Sequence, residues 1–235
     1  MNILYEDNHI ICVEKQSGIL SQGDIRDEPT LYDNIKQYIK IKYNKTGNVF
    51  LGVVHRIDMQ VSGAIVYART SKAAARLHAS MVAGKFRKFY IAIVPAANFP
   101  AGRQIMEDKL QKIYGGAAIT GEETAGAKTA KLECSLLAKN EKFMILLIAL
   151  HTGRKHQIRV QLASRGMPIV GDAKYGSALR LNAIMLHGLY LSFPHPVQNK
   201  NIEVISPIPE RFYTYFEKNE IFLQKMIDQI RDYLS

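Results

Sequence analysis

Asp58 stands in the run His55-Arg56-Ile57-Asp58-Met59-Gln60-Val61-Ser62-Gly63, directly after the apolar Gly52-Val53-Val54. An apolar strand that ends in a loop delivers a carboxylate to a fixed place, here beside the cation Arg56. A carboxylate held in that way can serve as a nucleophile or a general base. Taken alone, the segment is better read as a surface salt bridge of Arg56 followed by a Ser62–Gly63 turn.

A second cluster runs Thr152-Gly153-Arg154-Lys155-His156-Gln157-Ile158-Arg159. Gly153 permits a tight turn, and a helix is expected to follow it through 166. The N–H groups at the start of such a helix favour anions. Arg154, Ile158 and Gln161 would share one helical face, with Arg159 turned inward. Phosphate contact competes here with a plain solvated basic helix. A third cluster, Lys85-Phe86-Arg87-Lys88-Phe89-Tyr90, interleaves cations and aromatic rings. In a strand, Arg87 and Phe89 face one side, Lys88 and Tyr90 the other. Such a strand holds backbone phosphate and base at once, or it is simply amphipathic with Tyr90 in the core. Gly171-Asp172-Ala173-Lys174-Tyr175-Gly176 reads as a glycine-bounded turn.

Other chemistries lack their signatures. The chain has no phosphate-binding glycine loop, no dinucleotide fingerprint, no HExxH and no GxSxG. Its histidines do not fall at metal-ligand spacing. Neither a metal nor an organic cofactor is expected.

The elements that must position these residues follow from periodicity. ILYEDNHIICVEK alternates around Asp7-Asn8 and suggests an opening hairpin. Leu31, Ile35, Tyr38 and Ile39 share a helical face behind Thr30 as N-cap, with Asp33 where a capping box has Glu or Gln. FLGVVHRID suggests a strand entering a loop, and GAIVYART the next strand. Residues 71–84 read as an Ala-rich helix capped by Ser71 and stopped by Gly84. KFRKFYIAIV suggests a strand with one face buried, and residues 102–150 three or four antiparallel strands. Strands near 184–194 and 202–205 precede helices from Pro209 and Glu220. In the last helix Ile221, Met226, Ile230 and Tyr233 or Leu234 form an apolar stripe. Strands without a regular βαβ rhythm predict an α+β fold around a mostly antiparallel central sheet.

The 235 residues carry 31 Lys and Arg against 21 Asp and Glu, a formal charge of +10. Such a surplus suits a phosphate-rich partner, because neutralised phosphates release counterions. An apolar content of 47% excludes a disordered chain. Cys12 and Cys134 show no CxxC spacing, so free thiols in a reducing compartment are expected. Glu6 and Asp7 interrupt any secretory leader, and no stretch reaches the roughly 20 apolar residues of a membrane span. A cytoplasmic monomer without membrane contact is the expectation.

Together the segments are more specific than any one alone. HRIDMQVSG, KFYIAIV, TGRKHQIRVQLASRGMPIVGDAKYG and LHGLYLSFPHP, in that order and spacing, resemble the RluA-type family of RNA pseudouridine synthases. The opening ILYEDNHIICVEKQSGIL resembles the start of the same catalytic domain. The resemblance implies a catalytic domain over 1–207, with 208–235 as a helical extension packed on it. It implies a central antiparallel sheet flanked by helices, with a basic cleft. The small basic module that precedes this domain in some members is not expected. Val61 replaces a common Thr, Gln16 a common Pro, and Pro95-Ala96 an expected Gly.

By the same resemblance the chain isomerises chosen uridines of ribosomal or transfer RNA to pseudouridine, without metal or cofactor. Asp58 matches the essential aspartate. Arg56 matches the arginine that fills the space of the flipped uridine. Tyr90 matches the tyrosine that stacks on the base, and Arg159 the arginine that pairs with the carboxylate. Lys88, Arg154, Lys155 and His156 are expected RNA contacts, and Leu186 a wall of the base pocket. Burial alone would neutralise Asp58, so a buried Asp58–Arg159 ion pair is expected. Two other readings compete. A non-catalytic RNA-binding protein would not need Asp58. A base-releasing nucleoside glycosidase would recruit a second carboxylate, for which Asp172 is the candidate.

Overall fold

Two features of the first fifteen residues set the start of the fold: alternation, and an acid at the turn. β1 (Asn2–Glu6) and β2 (Ile10–Lys15) pair antiparallel in the computed structural model. Asp7 closes their turn, its Oδ1 accepting from the N–H groups of His9 and Ile10 at 2.7 and 2.9 Å. The structure describes residues 1–23, 29–121, 124–217 and 220–234, without the side chains of 220–222.

Helix α1 (Leu31–Lys42) starts at Thr30, whose hydroxyl accepts from Asp33 N–H while Asp33 accepts from Thr30 N–H. Aspartate therefore completes the capping box in place of the longer acid. The helix buries Leu31, Ile35 and Ile39. β3 (Gly52–Val53) is only two residues long, and β4 (Ser62–Ala68) is wholly buried. Helix α2 (Ser71–Val82) is capped by Thr70 rather than Ser71, because the Thr70 hydroxyl reaches Ala73 N–H at 3.1 Å. It ends before Gly84, whose φ of +70° takes the chain out of the helix.

β5 (Arg87–Pro95) differs from the amphipathic strand expected. From Phe89 to Val94 both faces are buried, and only the end residues Arg87, Lys88 and Pro95 stay at least partly exposed. Phe89, Ile91 and Ile93 project to one side and Tyr90, Ala92 and Val94 to the other. The apolar content of IAIV serves two faces, as in any doubly covered strand.

β6 (Gln104–Ile113), β7 (Gly116–Thr120), β8 (Lys128–Lys139) and β9 (Phe143–Leu150) are the expected antiparallel run. Helix α3 (Gln157–Ala163) is shorter than the helix expected from Gly153. His156 holds φ +53°, a left-handed conformation from which no helix propagates backward. Arg154 thus lies in the turn and not on a face with Ile158 and Gln161. β10 (Leu186–Pro194), β11 (Asn201–Ile205) and α4 (Glu220–Leu234) complete the chain.

Two units emerge from these elements: residues 1–87 with 188–207, and residues 88–187 with 208–235. In the first, strand order is β1-β2-β4-β10, and β11 pairs with β10. Its core packs α2 through Ala73 and Leu77 against Ile10, Val66 and Phe193, with Phe86 stacked on Phe193 at 5.1 Å. In the second, the order is β5-β9-β8-β6-β7. Helix α4 belongs to this unit and lies on β8. Ser135 hydroxyl donates to Gln229 at 2.9 Å, and Lys225 donates to Leu137 carbonyl. Of the expected stripe, Met226 and Ile230 are buried, Tyr233 meets Phe89 edge-on at 5.4 Å, and Leu234 is exposed. The side chain of Ile221 lies outside the described residues. The architecture is α+β, and every strand pair of described register is antiparallel. Among the described residues no helix is long and apolar enough to cross a membrane.

Candidate active site

The loop from Val54 to Val61 carries Asp58, and its shape is set from the segment 15–21. Lys15 at the end of β2 is fully buried, with its ammonium donating to the carbonyls of Gln16, Ile19 and Met59 at 3.0, 2.7 and 3.0 Å. Gly18 N–H donates to Met59 carbonyl at 2.8 Å, and Ser17 hydroxyl to Gln60 carbonyl at 2.7 Å. Ser21 hydroxyl donates to Ile57 carbonyl at 2.8 Å and accepts from Ile57 N–H at 3.2 Å. Tyr67 hydroxyl in turn donates to Ser21 carbonyl at 2.6 Å. The backbone on both sides of Asp58 is therefore bonded to a second segment, whose two ends, Lys15 and Ser21, are buried. Such bonding holds a side chain in one place before substrate arrives.

Asp58 itself is half-buried and Arg56 exposed. Ser62 and Gly63 do not form the surface turn that the sequence allowed. Both are buried in β4, and a Cβ at Gly63 would stand 2.4 Å from the carbonyl oxygen of Gly188. Glycine is required there because strand backbone occupies the space of a side chain.

The second unit holds the other candidates. Arg159, on α3, is 4% exposed and donates from Nε to Asp172 Oδ2 at 2.7 Å and from Nη2 to Oδ1 at 2.8 Å. Asp172 is 1% exposed. This is the bidentate fork that matches guanidinium to carboxylate. The Tyr175 ring lies 5.0 Å from the Arg159 guanidinium, and its hydroxyl lies 2.8 Å from His156 Nδ1. Tyr175 hydroxyl also accepts from Ala117 N–H at 3.1 Å, tying this corner to β7. GDAKYG is thus more than a turn. A buried arginine needs an acid, and that need was the one available signal for Asp172.

Tyr90 and Leu186 are buried, in β5 and at the start of β10. Lys88 is partly buried, and desolvation presses its ammonium below the ordinary lysine value. Its Nζ lies 3.7 Å from where a Cβ on Gly153 would stand, so the basic strand and the basic turn meet. Arg154 and Lys155 are exposed, and His156 is half-buried. The N–H of Arg154 is not left for an anion, because Gln157 Oε1 accepts it at 3.1 Å together with Thr152 hydroxyl at 2.7 Å. The second unit thus brings together Lys88, the 153–156 turn and the Arg159–Asp172 pair. Arg56 and Asp58 belong to the first. Cys12 and Cys134 are free and buried, and burial pushes the Cys134 thiol up to about 12.

A family model described as RNA pseudouridylate synthase matches residues 9–164. The chain is 30% identical to an RNA pseudouridine synthase of Bacillus subtilis over 221 residues, 89% of this chain and 69% of the relative. It is 32% identical over 238 residues to ribosomal large subunit pseudouridine synthase D of Xanthomonas campestris pv. campestris, covering 89% of this chain and 66% of the relative. Among solved structures, human RNA pseudouridylate synthase domain containing 4 superposes with a TM-score of 0.76 at 19% identity, over 96% of this chain and 92% of that one. Human RNA pseudouridylate synthase domain containing 1 gives 0.70 at 21% identity, over 88% and 82%. These two share the fold. With the family model spanning more than half its length, the chain belongs to the RNA pseudouridylate synthase family.

Proposed function

We propose that this chain isomerises specific uridines of ribosomal or transfer RNA to pseudouridine, with Asp58 as the reacting carboxylate. The observation that carries the reading is the loop around Asp58, pinned by Lys15, Ser17, Gly18 and Ser21 inside a chain of this family. A nucleophile or base needs that fixed geometry. The name of the Xanthomonas relative favours large-subunit ribosomal RNA as substrate.

In this reading the uridine leaves the stack, at a cost of about a few kcal/mol. Arg56, exposed in the same loop as Asp58, enters the gap. Tyr90 forms an aromatic wall with Leu186, and the pocket keeps water from the sugar while the base turns. The N1–C1′ bond breaks, C5 joins C1′, the C5 proton leaves to a base, either Asp58 or Tyr90, and N1 takes up a proton, so that the product is an isomer of the substrate. Arg159 is proposed as the cation that keeps the reacting carboxylate ionised, and its bond to Asp172 gives that acid a role that is not glycosidic. Lys88, Arg154, Lys155 and His156 contact the RNA backbone. The reaction needs side chains alone, and a monomer in the cytoplasm suffices for it.

The test is to incubate the purified protein with unmodified large-subunit ribosomal RNA and transfer RNA transcripts and to map pseudouridine. Asp58→Asn should abolish product while RNA affinity holds or rises. Equal activity in that variant refutes the role of Asp58, and free uracil as the product refutes the isomerase.

A further inference from the structure

A concavity of about 240 Å³ opens in the second unit between the β6–β7 hairpin, the start of β8 and the 153–155 turn. Lys112, Lys128, Arg154 and Lys155 line it, with Leu110 and Gly153 among its walls. No carboxylate lines it among the described residues. All four cations are exposed. Arg154 is held in place by its Nε, which donates to Thr129 carbonyl at 3.0 Å. Four like charges around one hollow repel one another, and such an arrangement is stabilised when an anion enters.

The hairpin beside it ends in Ile113, Tyr114 and Gly115. Tyr114 is fully exposed, and Ile113 is 47% exposed. An unburied tyrosine next to a cationic hollow is the pairing that single-stranded nucleic acid uses, charge for the backbone and ring for a base. The hairpin is not loose. Lys174 Nζ donates to Gly115 carbonyl at 2.6 Å, and Tyr175 hydroxyl accepts from Ala117 N–H. The same Tyr175 stands over Arg159, so the hairpin is tied to the buried ion pair.

We propose that this hollow is a second RNA contact, in which Lys112 and Lys128 join Arg154 and Lys155 on backbone phosphates and Tyr114 stacks on a base. The inference rests on the reading of the chain as an RNA-modifying enzyme and adds Lys112, Lys128 and Tyr114 to its substrate-binding surface. It gives a reason for the β6–β7 hairpin, which otherwise extends exposed apolar side chains into water.

The test measures fluorescence anisotropy of the full chain with a labelled twenty-nucleotide oligouridylate across a salt series. The double variant Lys112→Ala/Lys128→Ala should bind about tenfold more weakly. Its salt slope should fall by about 1.4, the loss of two single-strand phosphate contacts. Tyr114→Ala should weaken binding by about tenfold with the slope unchanged, because stacking releases no counterion. Wild-type affinity and slope in the lysine variant overturn the proposal, and so does a Tyr114 variant that binds like wild type. No turnover is read, so failure here leaves the isomerase reading standing. An inactive wild type would equally leave this binding result intact.

Discussion

Arg159 and Asp172 face each other as a two-point ion pair, with donor–acceptor distances of 2.7 and 2.8 Å and side chains 4% and 1% exposed. A pair so deep is fixed by desolvation. Either charge left alone in that place has no water to turn to, so the geometry of one residue defines that of the other. The Tyr175 ring and its contact with His156 complete the corner. In the proposed mechanism, Asp172 is a positioning residue that aims Arg159.

Removing one charge should therefore be severe. Asp172→Asn keeps the shape but takes the two-point charge partner from a buried guanidinium, with an expected loss of about 3 to 5 kcal/mol. Urea unfolding followed by circular dichroism measures it. Arg159→Met with Asp172→Leu, which removes both charges, should recover much of that stability while pseudouridine formation stays lost. A stable but inactive double variant separates packing from positioning. If Asp172→Asn unfolds at the wild-type midpoint, the pair does not hold the corner.

Where burial followed local alternation, sequence predicted structure well. Thr30 and Asp33 mark the start of α1 by side chains three residues apart, and the apolar run of 143–150 is the buried strand β9. The loop that carries Asp58 was legible because the apolar Gly52-Val53-Val54 runs into it. The groups that hold the site were not legible. Lys15 ends an ordinary-looking strand, and its ammonium reaches Met59, 44 residues away. Asp172 pairs 13 residues back into a helix whose sequence reads as basic and solvated. Buried polar groups find partners through the tertiary fold, and no local pattern carries that information. The helix expected from Gly153 failed for a different reason. His156 takes a left-handed conformation that its side-chain type tolerates without announcing it.

Gly63 tests how the start of β4 is packed. A Cβ there would stand 2.4 to 2.5 Å from the backbone of Gly188, and backbone has no rotamer by which to move aside. Its φ of +138° adds strain for any other residue. Gly63→Ala should lose on the order of 3 kcal/mol or more, or fail to accumulate as soluble protein. Gly47→Ala is the control, since nothing lies within 4 Å of its added carbon. It should stay within about 0.5 kcal/mol of wild type in a thermal melt. Equal melting of the two variants would show that β4 and β10 can separate without penalty.

Lys88 predicts a pH dependence of binding. Burial holds its folded value below the ordinary lysine value, so part of its charge is lost earlier than usual as pH rises. A phosphate beside it would favour the ammonium and raise that value again. Binding then takes up a proton, and affinity for RNA should fall as pH climbs from 7 toward about 10. Lys88→Met should bind more weakly at pH 7 and show a flatter profile. Anisotropy titrations at fixed ionic strength measure both, and parallel profiles for the two proteins would remove Lys88 from the interface.

The first turn should weaken in acid. Asp7 accepts from His9 N–H and Ile10 N–H at Oδ1, and from Tyr5 hydroxyl and His195 Nε2 at Oδ2, at 3.0 and 2.7 Å. His195 Nδ1 accepts from the N–H groups of Val197 and Gln198, so its proton sits on Nε2 and points at Asp7. Burial alone would raise the Asp7 carboxyl, but the backbone and His195 bonds outweigh it and hold the carboxyl below the usual aspartate value. A depressed folded value means stability that is fully present above the unfolded value, near 4, and lost as pH falls through the folded one. Asp7→Asn should therefore be destabilised at pH 6, and its gap to wild type should close between about pH 4 and pH 2. Urea midpoints of both proteins at pH 6, 4 and 3 follow this directly. A gap that stays constant down to pH 3 would mean that Asp7 keeps its ordinary acidity, and that the junction of β1, β2 and the 195–198 turn does not depend on its charge.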